Sequence, residues 1–479
     1  MKNHFLYLFV LLSASVFAQE TTYQPFEVDS AAEPNGGVVF FNTFIQATLR
    51  KPISAQAAGN GGRVALEGIV EPDGRISTVK VLQKFRPDCD AEALRVFSLF
   101  NAWKPARKGG QVVRQRVTMS IPFPANPPFT YVNGSRITYF GADSKVTPDS
   151  TQAKYKQVAP IDENGIPAGD VVVYETKGKG WKESFRLRLI KQKNNVSKTY
   201  IVANQNYKQD WEGPFFKLNE AGTIIGQTTY RDGKPVGAEL TYNENGAIAE
   251  KKEASDAGTA YMSWYPHGQI RQVRTVPKFN PDTPNQPEQV AGVWDRRGNQ
   301  LVKDGNGLAV YETTTESKAD TAKKTQFVEQ GRYVDGFQQG VWTGRYADGS
   351  YFYEETYDKG ICTGGKAVKA GGDTIRYNNL RTQPEFAGGM NGLGQFLAQN
   401  LRYPVEAQRA GVQGRVFVSF VVCTDGTLCD YEVIKSINKS VDEEAVRVVK
   451  AMSGRWKPGI QRGEKVRVKY NLPINFTLN

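Results

Sequence analysis

The sequence predicts an α+β and all-β multidomain chain, in which two small α+β domains flank a β-hairpin repeat array. Three observations carry this. A pattern at Pro384–Asn479 recurs in shorter form near the N-terminus, the middle has almost no helical periodicity, and aromatic residues there stand beside Asp-Gly or Asn-Gly pairs. At 479 residues the chain exceeds what one hydrophobic core usually serves, and 39% hydrophobic with 23% charged residues describes a globular chain. The expected division is a signal peptide at 1–18, a first α+β domain at 19–124, the array at 125–375 and a second α+β domain at 376–479.

The N-terminus opens with Lys2, an apolar run from Phe5 to Leu12, and the small-residue pattern of Val16 and Ala18, which reads as a secretory signal cleaved after Ala18. The run is short for a bilayer-spanning helix of about 20 residues. The alternative is an uncleaved inner-membrane anchor. Export places the chain in the periplasm, and no later stretch is apolar enough to span a membrane, so the mature chain is expected to have no integral span.

The first domain becomes visible when Pro52 is laid on Pro404, an offset of 404 − 52 = 352. Gly62, Arg63, Asp73, Gly74, Asp90, Glu92 and Arg95 then fall on Gly414, Arg415, Asp425, Gly426, Asp442, Glu444 and Arg447. One added residue near Arg455 shifts the offset to 353, and Trp103, Lys104 and Pro105 match Trp456, Lys457 and Pro458. So many matches with one shift indicate internal duplication. Each copy reads helix, hairpin, helix, strand, with two helices packed on a small antiparallel sheet.

In the second copy Met390, Leu393, Phe396, Leu397 and Leu401 mark one face of a helix, and Val416, Val418, Phe420 and Val422 alternate along a strand with one buried face. Ser440 and Glu443 have the spacing of a capping box for the next helix, and Trp456 covers that helix end as core. A final strand runs from Val466 to Phe476.

After the first copy, Pro122, Pro124, Pro127 and Pro128 mark a linker. From about Tyr131 to Lys366 short polar strands alternate with turns such as Asp232-Gly233, Asp335-Gly336 and Lys359-Gly360. Each hairpin is too small to bury a core alone, so stacking on its neighbours is the physical reading. Residues Tyr333–Gly360, with Gly336, Gly340, Gly344 and Gly349, resemble MORN-type hairpin repeats. The aromatics are assigned to the stacking core. Pro277, Pro281, Pro284 and Pro287 form a loop inside the array.

No enzyme is expected. Of two histidines, His4 falls in the signal and His267 in a Pro-Gly turn; no Cys or His spacing suits a metal, and no cofactor loop is present. The net charge of +12 favours anionic surfaces, such as peptidoglycan or another envelope polymer, and export argues against nucleic acid. Cys423 and Cys429 flank the Asp425-Gly426 turn with equal parity. They either bridge across the hairpin as a disulfide or stand as two buried free thiols. Cys89 and Cys362 have no partner in the pattern.

The last strand points to binding. Val466, Val468, Tyr470, Leu472, Ile474 and Phe476 share one face, Arg467, Lys469 and Asn471 the other, and Pro473 lies inside it. Proline cannot donate to a ladder, so it belongs at an edge, which either repels aggregation or accepts another strand. The candidate partner-binding residues are therefore Val466, Arg467, Val468, Lys469, Tyr470 and Asn471.

Pro384, Glu385, Phe386, Gly388 and Gly389, then Tyr403, Pro404, Gly411, Gln413, Gly414 and Arg415, Asp425 and Gly426, Glu444, Ala445 and Arg447, Trp456, Lys457 and Pro458, and Leu472–Phe476 resemble the C-terminal domain of TonB-family proteins in the form common among Bacteroidetes. The resemblance implies two helices on a three-stranded antiparallel sheet. It also implies that the last strand, Val466–Asn475, pairs with the TonB box of an outer-membrane receptor in TonB-dependent transmembrane transport. A structural scaffold of the cell envelope, with its last strands paired internally, is the alternative. The chain departs from TonB in having a cleavable-looking signal and a hairpin array in place of a membrane anchor and a proline-rich span. In the first copy Lys51 stands where the second has Tyr403.

Overall fold

The computed structural model describes residues 21–478 except 149, 179, 195, 196 and 281–285, so the expected signal peptide and Pro281 and Pro284 lie outside the described residues. Strand outweighs helix, 52% against 14%, and the six α-helices among the described residues fall in the two repeated segments. They are α1 (Val38–Thr48), α2 (Ile53–Ala58), α3 (Pro87–Leu99), α4 (Gly389–Asn400), α5 (Val405–Arg409) and α6 (Lys439–Lys450). The chain forms two compact units, one running to Phe185 with Tyr242–Ile248 and Tyr265–Gln269, the other holding Arg186–Thr241, Ala249–Trp264 and Ile270–Asn479.

In the second unit, strands Leu428–Lys435, Gly414–Val422 and Val468–Phe476 lie side by side in that order, all antiparallel. Val416, Val418, Phe420 and Val422 are fully buried against Ala445, Val448 and Val449 of α6. At roughly 1.5–3 kcal/mol per large apolar side chain removed from water, this alternation drives the packing. Trp456 is core, between Phe386, Phe420 and Tyr470.

Several expectations are corrected here. Each copy has three helices, because a further short one, α5 or α2, opens directly after Pro404 or Pro52, which stands at its N-cap. Met390 is 73% exposed, leaving Leu393 and Phe396 as the buried face of α4. Helix α6 begins at Lys439 and is capped by Asn438, whose side chain accepts from the Ser440 N–H, so the Ser440–Glu443 capping box does not form. Pro122 lies inside the strand Gln111–Phe123 and not in the linker. The final strand is interrupted at Arg467: Glu464–Val466 belongs to a separate small ladder with Gly459–Gln461 and Arg381–Thr382.

The first unit holds the matching copy. Strands Gly62–Val70, Ile76–Gln83 and Gln111–Phe123 repeat the register, with Val64, Leu66 and Val70 fully buried. The duplicated Asp-Gly turns explain their glycines. Gly74 and Gly426 have φ of 81° and 84°, and a Cβ at either would lie 2.4 or 2.3 Å from the carbonyl oxygen of Trp103 or Trp456.

Among the described residues twenty strands lie between Thr130 and Tyr377, neighbours in sequence pairing antiparallel. Asp335 and Gly336 (φ 50° and 86°) and Lys359 and Gly360 (46° and 81°) both carry positive φ at the two central turn positions, the twist a two-residue hairpin needs. Tyr333, Trp342 and Tyr357 pack together as buried core, as do Tyr351, Tyr353 and Tyr377. Gly344 is a seat for a ring: its Cβ would meet Tyr353 at 2.1 Å.

Candidate functional site

The repeated polar residues are mostly structural. Glu444 accepts from the Arg402 N–H (2.6 Å) and binds Arg447, which donates to the Asn400 carbonyl at the end of α4 (2.6 Å). Glu92 and Arg95 build the same clamp on the Arg50 N–H (2.6 Å) and the Thr48 carbonyl (3.0 Å). Asp442 and Asp90 each accept a loop N–H, from Ile437 and Phe85. Tyr403 donates to the Val412 carbonyl and packs edge-on against Phe476, so it fastens the end of the last strand. Lys51 at the matching place donates to Pro124 O (2.8 Å) and Asn126 Oδ1 (2.6 Å), just beyond Phe123. The exchange of Tyr for Lys keeps the task and changes the chemistry.

What remains available for a partner is the outer edge of Val468–Phe476. One side of this strand pairs with Gly414–Val422, and among the described residues no strand pairs with the other. Pro473 lies opposite Phe417, and Pro122 opposite Arg63 in the first copy. A proline keeps the ladder intact only where the backbone N–H would point away from its partner strand. Residues of the same parity in the strand, Lys469, Asn471 and Asn475, therefore turn their backbone N–H and C=O outward, and Arg467 precedes them at the break. Their side chains are exposed, while those of Leu472, Ile474 and Phe476 are buried.

The predicted residues thus divide. Val468, Lys469, Tyr470 and Asn471 lie on the open strand; Arg467 is the break; Val466 pairs with Gly459 in the small ladder. Tyr470 stacks on Phe420 (5.7 Å) and packs against Trp456 (5.0 Å), so its ring is a support and not a contact surface. Arg467 donates to Asp430 Oδ2 (2.7 Å) and Cys429 Sγ (3.2 Å), and Lys469 lies 3.4 Å from Glu432. Cys423 and Cys429 face each other across the turn with sulfur atoms 2.7 Å apart, and both are partly exposed. Cys89 is buried, and burial pushes its thiol up to about 11.

A feature missed in the sequence supports this edge from below. Glu355, 1% exposed, accepts from Tyr357 (3.0 Å), Tyr377 (2.9 Å) and the guanidinium of Arg462 (2.6 and 3.3 Å). Arg462 lies 3.5 Å over the Tyr353 ring and has φ of 51°, the left-handed region. It anchors the small ladder that leads into the open strand on the hairpin array. No local pattern marks this pairing; its partners are 107 residues apart.

His267 sits in its turn, stacked on Tyr265, and among the described residues no cluster of His, Cys, Asp or Glu could hold a metal ion.

The family model for the Gram-negative bacterial TonB protein C-terminal domain matches at residues 50–124 and again at 399–478. Two solution NMR structures of the Helicobacter pylori TonB C-terminal domain are each 28% identical over 18% of this chain, covering 78% and 91% of their own chains, with a TM-score of 0.16 in both cases. No curated protein matches the chain. The matched regions begin just before α2 and at the very end of α4, and so leave out α1 and nearly all of α4. Residues 50–124 and 399–478 are two copies of the TonB C-terminal domain carried in one chain.

Proposed function

We propose that this chain is a periplasmic TonB-like envelope protein whose second copy binds an extended peptide by β-strand addition. The observation that carries this is the unpaired outer edge of Val468–Phe476, where Lys469 and Asn471 turn backbone donors and acceptors to solvent. The family match at 399–478 supports a TonB box of an outer-membrane receptor as the partner, and a role in TonB-dependent transmembrane transport. The function is binding and not catalysis, and the +12 charge suits contact with peptidoglycan or another anionic envelope surface. Among the described residues no helix is long and apolar enough to cross a membrane.

Isothermal titration of the full chain with TonB-box peptides from receptors of the same genome tests this. Saturable binding that is lost when the edge donors are removed supports it; absence of binding to every such peptide overturns it. The scaffold reading applies best to the first copy, whose last strand already carries a second strand on its outer side at Arg114 and Gln115.

A further inference from the structure

The start of the first-copy edge that matches the proposed binding edge is covered by the chain itself. Thr22 and Tyr23 form a short parallel strand on Arg114 and Gln115, which match Arg467 and Val468 of the second copy (467 − 353 = 114). Further ties hold the segment in place. The Lys108 ammonium lies 4.2 Å from the centre of the Tyr23 ring, and the Ala32 N–H donates to Gln115 Oε1 at 2.8 Å. The Arg107 carbonyl accepts from Asp29 (2.8 Å) and Ser30 (3.2 Å), and Glu33 and Pro34 pair with Lys104 and Trp103.

The second copy keeps the later part of this path and loses the first. Thr382 pairs with Ile460 as Ser30 pairs with Arg107, and Glu385 and Phe386 pair with Lys457 and Trp456. The residues that match Thr22 and Tyr23 are Thr374 and Ile375 (374 − 352 = 22), and these pair with Val368 and Ala367 in the hairpin array. The same stretch of chain is drawn into the array in one copy and laid on the binding edge in the other.

We infer that Thr22–Tyr23 is a built-in occupant that blocks entry of another strand at the start of the first copy's last-strand edge, so that of the two last strands only that of the second copy stands open along its whole length. This rests on the strand-addition reading above. A segment tethered a few residues from its site acts at an effective concentration on the order of 1 mM. A free peptide of equal intrinsic affinity, with a Kd of ~1 μM, would therefore bind the first copy about a thousandfold more weakly than the second. The occupant also covers a strand edge that would otherwise be open to aggregation.

Amide hydrogen exchange of the full chain, read residue by residue, tests this without any partner. The outward amides of Arg114 and Arg116 should exchange at least tenfold more slowly than those of Lys469 and Asn471. Tyr23→Pro, which cannot donate to the ladder, should bring Arg114 and Arg116 to the rate of the second copy while Val64 and Leu66 stay protected. A synthetic peptide of residues 21–28 should then restore their protection. Equal rates at the two edges in the parent chain, or no change in the variant, would overturn the inference. If Tyr23→Pro unfolds the copy, exposing Val64 and Leu66, the comparison of edges in the parent chain still decides. Failure of receptor peptides to protect Lys469 and Asn471 would instead count against the proposed function alone.

Discussion

Replacing Lys469 with proline separates binding from folding at the open strand. The Lys469 N–H points away from Gly414–Val422 and has no partner strand. Removing it should change stability by less than about 1 kcal/mol, within the usual range for a surface substitution. An added strand would use it. With net worth near 1 kcal/mol per backbone hydrogen bond, Lys469→Pro should weaken a peptide by about 1 kcal/mol, and Lys469→Pro with Asn471→Pro by about 2 kcal/mol, roughly thirtyfold in Kd. Tyr470→Pro is the contrast, since its N–H bonds within the sheet and its ring packs on Phe420 and Trp456. It should cost about 1–3 kcal/mol for the lost ladder bond and a further 0.5–1.5 for each ring contact. Titration calorimetry gives the affinities and thermal unfolding the stabilities. If Lys469→Pro unfolds the domain as readily as Tyr470→Pro, the assignment of outward backbone groups is wrong; if the double variant binds the peptide as well as the parent, the edge is not the site.

Glu355→Ala leaves the Arg462 guanidinium without its buried counter-charge and should cost about 3–5 kcal/mol, seen as faster exchange in Thr374–Tyr377 and Gly459–Gln461; Glu355→Ala with Arg462→Ala should cost less than the two single changes added together. In the first copy the hydrogen bonds of Arg86 and then Ser54 hold the Asp88 carboxyl well below the usual range, despite an opposing effect of burial. A depressed folded pKa stabilises above the unfolded value of about 3.9 and is lost as pH falls below it, so α3 should loosen below pH ~4 while α6, with Ser440 at the matching position, lacks this contribution; exchange measured near pH 3 compares them. Under oxidising conditions Cys423 and Cys429 should form a bond closing a short loop, worth about 2 kcal/mol, and alkylation with mass analysis should find only Cys89 and Cys362 free; four alkylated thiols after oxidation would refute it.

The duplication was legible because it is written in residue identity. Asp90, Glu92 and Arg95 recur at a fixed offset because each closes the same loop or helix end in both copies, and Gly74 and Gly426 recur because a tryptophan carbonyl leaves no room for a Cβ. The hairpin turns were legible for a similar reason, since positive φ at two successive residues selects Asp, Asn and Gly. Short helices α2 and α5 were not, because five or six residues are too few to set up a helical period.

Sequence by itself determined the two α+β copies, the hairpin region between them, and the last strand as an edge, through periodicity, turn residues and a single proline. Only the tertiary structure decided which edge stands open. Arg114 and Arg467 are the same residue at matching positions; the difference between the edges lies in where a segment some 90 residues earlier in the chain is laid, on the sheet as Thr22–Tyr23 or in the array as Thr374–Tyr377. Strand pairing is made by backbone groups that every residue but proline carries, so its partner is chosen by the path of the chain and leaves no local mark in the sequence.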